Sequence, residues 1–237
     1  MSPGLATERV DGRSPAALLF DFGGTLDAPG LPWKERVFTL YRAAGIAAAE
    51  ETFDPLFYGA DEALVGTVPA TLSLRETVRR LVGGVSAALG VDDERLTQRI
   101  ATRFLEDALG HLGHNTPLLS RLAGRYRLGI VSNFYGNLEA VCEEAGIRQF
   151  FGVVVDSTRL GVRKPDPRIF RHALGELGVE PGDATFVGDS RSRDMEGARG
   201  VAMPHIWLVG QAARESDPCC PGDRVIRSLD ELPEVLP

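Results

Sequence analysis

The chain has 237 residues, and its 43% hydrophobic and 25% charged content is typical of a globular protein that buries a sizeable core. Its formal net charge of −7 excludes a surface built to neutralise the phosphates of nucleic acid or of an anionic membrane. No apolar run approaches the roughly 20 residues that a membrane-spanning helix needs, so we expect a soluble protein with no membrane partner.

The beginning of the chain and its cysteines give no sign of export. Residues 1–15 mix charged residues with glycine and proline and lack the apolar stretch of a secretory signal, so we predict a flexible leader. The cysteines are Cys142, Cys219 and Cys220, an odd number with two adjacent, which fits neither a disulfide framework nor a zinc site. We therefore expect reduced thiols and a cytoplasmic protein.

Short apolar runs that end in glycine or a polar residue recur along the chain. Such runs predict strands that are buried on both faces of a parallel sheet. In chain order they cover residues 16–20, 128–131, 153–155, 184–187 and 206–209, with a short edge strand at 224–226. Ligands of such sheets bind at the carboxyl ends of the strands, so the polar residues that follow these runs should share one crevice.

Helical patterns separate the later strands, at residues 137–145, 167–177 and 196–199. The alternation of strands and helices predicts right-handed βαβ units and an α/β fold with a doubly wound, Rossmann-like parallel sheet.

The segment 28–116 interrupts this alternation. It contains no buried-strand run and predicts four helices, at about residues 33–44, 52–65, 73–89 and 92–112. We interpret 28–116 as an inserted, all-helical cap domain over the crevice. Residues 16–27 and 117–237 then form the α/β core.

Four motifs in the predicted core resemble those of the haloacid dehalogenase (HAD) superfamily and occur in the same order. The first is Asp21-Phe22-Gly23-Gly24-Thr25-Leu26-Asp27 at the end of the first strand, and the second is Ser132-Asn133. The third is Lys164 in the run GVRKPDP, and the fourth is Gly188-Asp189-Ser190 with Asp194. The chain is therefore identified by resemblance as a HAD-like hydrolase with a helical cap.

The resemblance implies covalent catalysis on a small, phosphorylated substrate. Asp21 would attack phosphorus and form an aspartyl-phosphate, which splits one difficult step into two. Ser132 and the backbone of Asn133 would hydrogen-bond the phosphoryl oxygens, and Lys164 would offset their developing charge. Thr25 would hold the turn of the first motif.

The resemblance also implies a magnesium ion. Because the nucleophile and the substrate are both anions, a hard cation that prefers oxygen ligands must lie between them. The implied ligands are Asp21, the backbone carbonyl of Gly23, and Asp189, with Asp194 in a supporting or alternative position.

One position departs from the phosphatase pattern. Gly23 stands where the family's phosphatases carry a second aspartate, the general acid and base. Acid–base assistance typically contributes roughly 10²–10⁴-fold, so we expect a preference for substrates with good leaving groups. Asp27 is a possible substitute acid, but we interpret it as a turn or surface carboxylate.

Other noticeable residues receive ordinary structural interpretations. Lys34 is interpreted as a surface charge. Trp33 and Trp207 are interpreted as packing residues, and His111 and His114 as residues near the hinge of the cap without a substrate role.

Three other functions stay open beside a phosphohydrolase or phosphotransferase: two other hydrolases and a protein without catalytic activity. A 2-haloacid dehalogenase needs no second aspartate, but it uses no magnesium, and the intact Asp189 speaks against it. A phosphonate-cleaving relative would need a cap lysine, for which Lys34 is the only candidate. Finally, the loss of the acid at Gly23 is compatible with a catalytically quiet binding or regulatory protein.

Overall fold

The structure is a computed structural model that describes residues 14–210 and 224–236. Nearly all of the predicted leader, and both Cys219 and Cys220, lie outside the described residues. The described strands are β1 Ala17–Phe20, β2 Arg127–Ser132, β3 Val153–Asp156, β4 Ala184–Gly188, β5 His205–Leu208 and β6 Arg224–Ile226. Each agrees with a predicted strand to within one residue at either end.

The described helices flank the sheet or belong to the cap segment, which lies between β1 and β2 in the sequence. They are α1 Trp33–Ala43, α2 Glu50–Glu62, α3 Leu74–Leu89, α4 Glu94–Ala123, α5 Leu138–Glu144, α6 Ser157–Leu160, α7 Pro167–Leu177, α8 Glu196–Arg199 and α9 Leu232–Val235. A π-helical turn, Arg191–Met195, leads into α8.

The six strands form one parallel sheet in the order β3-β2-β1-β4-β5-β6. The first strand in sequence lies near the middle, where it pairs with both β2 and β4. All four of its residues are fully buried, which is why it reads as a continuous apolar run. The predicted α/β fold with a doubly wound parallel sheet is confirmed.

The register of the central strands determines which residues meet at the crevice. Phe20 pairs with Ile130 on one side and with Val187 on the other. The residues that follow these positions therefore emerge at the same edge of the sheet. Asp21 is the first of them, and its backbone N–H donates to the carbonyl of Val187 at 2.9 Å.

The first four helices pack together as the helical cap, with α3 against both α2 and α4. Three of them end within three residues of the predicted bounds, but α4 does not stop near Leu112 and continues to Ala123. It does so through Pro117 because the apolar face continues beyond it with the buried Leu118, Leu119 and Leu122. The cap boundary at residue 116 thus falls inside a helix, and the division into domains stays a prediction.

Among the described residues, no helix combines the length and the hydropathy required to cross a membrane.

Candidate active site

The carboxyl ends of β1, β2 and β4 bring polar residues from distant parts of the sequence together. Asp21 follows β1, Ser132 ends β2, and Asp189 follows β4. Lys164 comes from the segment between α6 and α7, and Asp194 from the π-helical turn. All five are in or beside one crevice. The sequence analysis expected this from the strand ends for Asp21, Ser132 and Asp189, and from the resemblance for Lys164 and Asp194.

Three donors converge on one oxygen of Asp21. Its Oδ1 accepts hydrogen bonds from the hydroxyl of Ser132 and from the backbone N–H of Phe22, both at 2.7 Å. The same oxygen pairs with the Lys164 ammonium at 2.8 Å. Among the described residues, no hydrogen bond reaches the Oδ2 of Asp21. The carboxylate is therefore fixed through one oxygen, and the other is available for chemistry.

Lys164 is buried between two carboxylates. Its Nζ lies 2.8 Å from Asp21 Oδ1 and 2.7 Å from Asp194 Oδ1. Burial alone would lower the pKa of Lys164, but the charges of Asp194 and Asp21 outweigh burial and raise the pKa. The ammonium therefore stays charged at neutral pH.

Asn133 positions this lysine through its side chain. Its amide donates to the carbonyl of Lys164 at 3.1 Å, and its Oδ1 accepts from the N–H of Lys164 at 2.7 Å. The side chain of Asn133 is thus engaged with the protein backbone. Any contact of Asn133 with a substrate would therefore be made by its own backbone, as the sequence analysis expected.

Three carboxylates approach each other in the crevice. Oxygens of Asp21, Asp189 and Asp194 all lie within 4.8 Å of one another. Burial, followed by the charges of Asp21 and Asp194, raises the pKa of Asp189 well above its usual value. Burial likewise raises the pKa of Asp194 to about 6, even though Lys164 pairs with it. The Lys164 ammonium and the Arg193 guanidinium do not balance three carboxylates, and the remaining repulsion is what a bound cation would relieve.

Asp189 presents an atom that fits such a cation. Its Oδ1 accepts from the hydroxyl of Thr25 at 3.1 Å, and its backbone carbonyl accepts from the indole of Trp207 at 2.9 Å. Its Oδ2 is buried and has no hydrogen-bond partner among the described residues. A buried, unpaired carboxylate oxygen beside two further carboxylates is the donor set that a divalent ion prefers.

The turn after Asp21 is shaped to approach this carboxylate. Gly24 has a φ of +91°, and a Cβ there would lie 2.6 Å from Asp189 Oδ2. The second glycine of the motif is therefore required both by conformation and by space, a role the sequence analysis did not assign. Trp207 packs against the core, as interpreted there, and its indole also helps to hold Asp189 in place.

The position of the missing acid is occupied by an aromatic ring. A Cβ on Gly23 would meet the indole of Trp33, with Nε1 at 3.3 Å. That Nε1 donates to Asp27 Oδ2 at 2.6 Å, and the guanidinium of Arg36 pairs with the same oxygen at 2.8 Å. The other oxygen of Asp27 accepts from the N–H of Gly24 at 2.7 Å.

These contacts decide between the interpretations of Asp27. The side chain is fully buried and closes the motif turn, so the turn interpretation is right and the surface interpretation is wrong. Trp33, interpreted as a packing residue, also carries a hydrogen bond and lines the crevice. Because both oxygens of Asp27 are engaged by three donors, it is not free to act as a substitute acid.

Cap helices cover the crevice and enclose a cavity of about 100 Å³. We call the core residues in and beside the crevice the floor, and the cap residues that line the cavity the roof. The floor comprises Asp21, Ser132 and Lys164, which line the cavity, with Asp189 and Asp194, whose oxygens lie within 4.8 Å of Asp21. The roof comprises Trp33, Lys34, Phe57, Tyr58 and Asp61. Tyr135, Arg163 and Arg193 line the cavity between them.

The sequence analysis missed two lining residues that contact each other, Asp61 on the roof and Tyr135 between the floor and the roof. Asp61 carries no local signal, because it is one charged residue in the last turn of a helix. Tyr135 did have one, since it lies three residues after the end of β2, at the edge where ligands bind. Both line the cavity, and the Tyr135 hydroxyl donates to Asp61 Oδ1 at 2.5 Å.

Lys34 is not a surface charge. Its side chain is buried, and its ammonium pairs with Glu35, Glu50 and Asp54 at 2.7–3.0 Å. Burial acts to lower the pKa of Lys34, but these three carboxylates raise it above the ordinary value for lysine. A Schiff base requires a neutral amine, so the environment of Lys34 opposes the phosphonate-cleaving alternative.

The remaining singled-out residues lie away from the cavity. His111 pairs with Asp107 on its own helix at 3.6 Å, and His114 with Asp230 at 2.9 Å. Cys142 is buried without a disulfide, and burial raises the pKa of its thiol to about 12. An inert, protonated thiol agrees with the expectation for this cysteine.

The comparisons with known proteins point to one family. The family model described as haloacid dehalogenase-like hydrolase matches residues 15–201. The mouse (Mus musculus) protein named haloacid dehalogenase-like hydrolase domain-containing protein 3 is 29% identical over 235 residues, which cover 92% of each chain.

Solved structures similar to this chain include a phosphatase and a dehalogenase. A HAD phosphatase from Thermococcus onnurineus aligns with a TM-score of 0.58 and 26% identity, over 92% of this chain and 96% of that one. A 2-haloacid dehalogenase from Pseudomonas syringae pv. Tomato DC3000 aligns with a TM-score of 0.53 and 25% identity, over 93% and 97%. The fold is thus shared by both chemistries, and the site residues must discriminate between them.

Proposed function

Because the chain belongs to the haloacid dehalogenase-like hydrolase family, we propose that it is a magnesium-dependent phosphohydrolase or phosphotransferase with Asp21 as its nucleophile. The observation that carries this proposal is the cluster of Asp21, Asp189 and Asp194 around Lys164. A 2-haloacid dehalogenase uses no magnesium, so its chemistry does not require the third carboxylate of this cluster. Transfer of an anionic phosphoryl group requires the positive charge that the cluster attracts.

Asp21 is suited to nucleophilic attack because one carboxylate oxygen is fixed and the other is free. Ser132, Lys164 and the backbone N–H of Phe22 engage Oδ1, and this leaves Oδ2 to attack phosphorus. Attack gives an aspartyl-phosphate, and water then releases inorganic phosphate and restores the carboxylate. Transfer to an acceptor hydroxyl instead of water is the phosphotransferase variant of the second step.

The residues that would hold magnesium are Asp21, Asp189 and Asp194, together with the backbone carbonyl of Gly23. The unpaired Oδ2 of Asp189 supports this assignment, since it is a buried acceptor without a donor in the described protein. Bound there, magnesium would neutralise charge on the phosphoryl oxygens and on the attacking carboxylate.

Ser132 and Lys164 act on the phosphoryl group itself. The hydroxyl and the ammonium both reach Asp21 Oδ1, so both lie beside the position where the transferring phosphorus must arrive. A preorganised cation at this point stabilises charge that grows in the transition state. Asn133 positions Lys164, and Thr25 positions Asp189.

The size of the cavity and the identity of residue 23 limit the substrate. About 100 Å³ beneath the roof favours a small phosphorylated molecule. The floor supplies no proton for the departing group, because Gly23 has no side chain and Asp27 is fully engaged. We therefore expect good leaving groups to be favoured, unless the roof supplies the proton.

Phosphate release from a short set of compounds tests this function. We expect the purified protein to hydrolyse acetyl phosphate or p-nitrophenyl phosphate with magnesium, and to lose that activity with excess EDTA. The matched control is Asp21→Asn, which should be inactive with the metal present.

Two other results would contradict the proposal. Metal-independent release of halide from 2-chloropropionate would identify a dehalogenase. Absence of both activities, with magnesium still bound, would identify a binding or regulatory protein.

A further inference from the structure

An ordinary phosphate ester needs a proton on its leaving oxygen, and the usual source is missing here. Residue 23 is glycine, and the ring of Trp33 lies 3.3 Å from where its Cβ would be. Asp27 binds Trp33, Arg36 and Gly24 with its two oxygens. A donor must therefore come from elsewhere in the cavity lining.

The described lining contains only two carboxyl groups, Asp21 and Asp61. Asp21 is the nucleophile in the proposed function. The lining lysines are unsuitable, because Lys34 is paired with three carboxylates and Lys164 with two. The arginines do not release protons at any relevant pH. Of the lining tyrosines, Tyr135 already donates its hydroxyl hydrogen to Asp61, and Tyr58 is 53% exposed. Asp61 is the remaining carboxylic acid among the described residues that line the cavity.

The position of Asp61 is fixed from the core. It lies in the last turn of α2, and its Oδ1 accepts a hydrogen bond of 2.5 Å from the hydroxyl of Tyr135. Tyr135 is itself buried, and its carbonyl accepts from the N–H of Gly66 just beyond α2. No hydrogen bond reaches the Oδ2 of Asp61 among the described residues. One oxygen is thus held, and the other is free to carry a proton.

From this geometry, and on the basis of the proposed phosphohydrolase function, we propose that Asp61 is the acid that protonates the leaving group. The family position for this role lies on the floor, two residues after the nucleophile. In this chain the role passes to the roof, so that the proton donor is present only while α2 lies over the crevice.

The burial of Asp61 favours its protonated form. Burial raises the pKa of Asp61, and it outweighs the opposing effects of the Tyr135 hydrogen bond and of Arg163 and Arg193. The neighbouring Glu62 raises the pKa further. Asp61 therefore holds its proton to a higher pH than an exposed aspartate does.

The proton and the bonds balance over two steps. In the first, an oxygen of Asp21 bonds to phosphorus, the bond from phosphorus to the leaving oxygen breaks, and the proton of Asp61 moves to that oxygen. The products are an alcohol and the aspartyl-phosphate. In the second, the Asp61 carboxylate takes a proton from water as the water oxygen attacks phosphorus. The bond to Asp21 breaks, inorganic phosphate leaves, and both aspartates return to their starting forms.

A leaving-group series measured on Asp61→Asn tests the assignment. Asparagine keeps the oxygen that Tyr135 binds but has no acidic proton. With magnesium, we expect kcat/KM for ethyl phosphate to fall about 10²-fold, and that for acetyl phosphate by less than about 3-fold. The fall of ethyl phosphate turnover as the pH rises through the pKa of Asp61 should disappear in the variant.

The matched control is Glu62→Gln, which removes the same charge from the adjacent, exposed residue of α2. It should leave the leaving-group dependence as in the wild type. A second variant, Tyr135→Phe, removes the hydrogen bond but keeps the acid. It should lower kcat/KM for ethyl phosphate by less than Asp61→Asn does, and it should keep the pH-dependent fall of turnover that Asp61→Asn loses.

The possible failures are distinguishable. Equal losses on ethyl and acetyl phosphate would show that Asp61 only tethers the roof, and would overturn its role as an acid. A loss confined to substrates with an amino group would make it an ammonium-binding residue instead, with the same consequence. A wild type that hydrolyses no phosphate compound in the presence of magnesium would overturn the proposed function and the role of Asp61 together.

Discussion

The floor and the roof of the cavity are built on different principles. Three floor residues, Asp21, Ser132 and Asp189, are at strand ends, where backbone pairing in the sheet brings them to one edge, and Lys164 and Asp194 lie in connecting segments of the core. Roof residues lie on α1 and α2, and their direction depends on how these helices pack. The floor therefore holds what HAD-like hydrolases share, and the roof determines what is particular to this chain.

The two regions also differ in how their charges are balanced. On the floor, three carboxylates face the Lys164 ammonium and the Arg193 guanidinium, and Asp189 Oδ2 is unpaired among the described residues. In the cap, the Lys34 ammonium also meets three carboxylates, at 2.7–3.0 Å, but their side chains are 34–53% exposed, so water can balance their charge. An imbalance of negative charge at the floor is costly without a cation, which indicates a function there and not in the cap.

The largest expected effect is on the floor, at Asp21. Asp21→Asn should lower turnover by about 10⁴-fold or more, because an amide does not attack phosphorus. Thermal unfolding should stay close to wild type, since the amide oxygen still accepts from Ser132 and Phe22. Turnover near that of the wild type would mean that another residue is the nucleophile.

Asp27 connects the motif turn to Trp33 and Arg36 of α1, and its loss should affect the stability of the fold more than catalysis. Asp27→Ala leaves the buried Arg36 without its buried partner and frees Trp33, at a cost of about 3–5 kcal/mol in the free energy of unfolding. Urea denaturation measures this cost. The control Asp230→Ala removes an exposed pair with His114 and should cost less than about 1 kcal/mol.

The same variant tests the turn interpretation of Asp27. Where folded, Asp27→Ala should keep the wild-type dependence of rate on the pKa of the leaving group. A steeper dependence with unchanged stability would make Asp27 a proton donor, against the contacts seen here.

Asp189 tests the charge imbalance of the floor. Asp189→Ala should weaken magnesium binding by about 10²-fold or more in calorimetry, because the site loses one of its few anionic oxygens. In metal-free buffer the variant should unfold at a temperature no lower than the wild type, since a repelling carboxylate is gone. Unchanged magnesium affinity would rule out this site.

The smallest effect we predict is a gain, at Gly23. In the Asp61→Asn background, Gly23→Asp should return an acid to the floor and raise ethyl phosphate turnover by up to about 10²-fold. The gain should fall short of that limit because Trp33 lies 3.3 Å from the new Cβ. Gly23→Ala, which has the Cβ without the carboxyl group, is the control for crowding alone. A gain equal to that of Gly23→Ala would show that position 23 no longer supports acid catalysis.

The sequence by itself determined the sheet and the floor. The apolar runs predicted every described strand, because a strand buried on both faces must be apolar along its whole length. Asp21, Ser132 and Asp189 could be placed together, since parallel strands bring their carboxyl ends to one edge. For these three residues, the local pattern of a polar residue after a strand was sufficient to predict that they lie together.

Only the tertiary structure decided the roof and the link to it. Asp61 and Lys34 are ordinary charged residues on amphipathic helices, and helical periodicity does not tell which of them faces a cavity. The engagement of Asp27 by Trp33 and Arg36 depends on how α1 meets the motif turn. Such contacts follow from helix packing, which many distant apolar residues determine jointly, and so no single segment of the sequence encodes them.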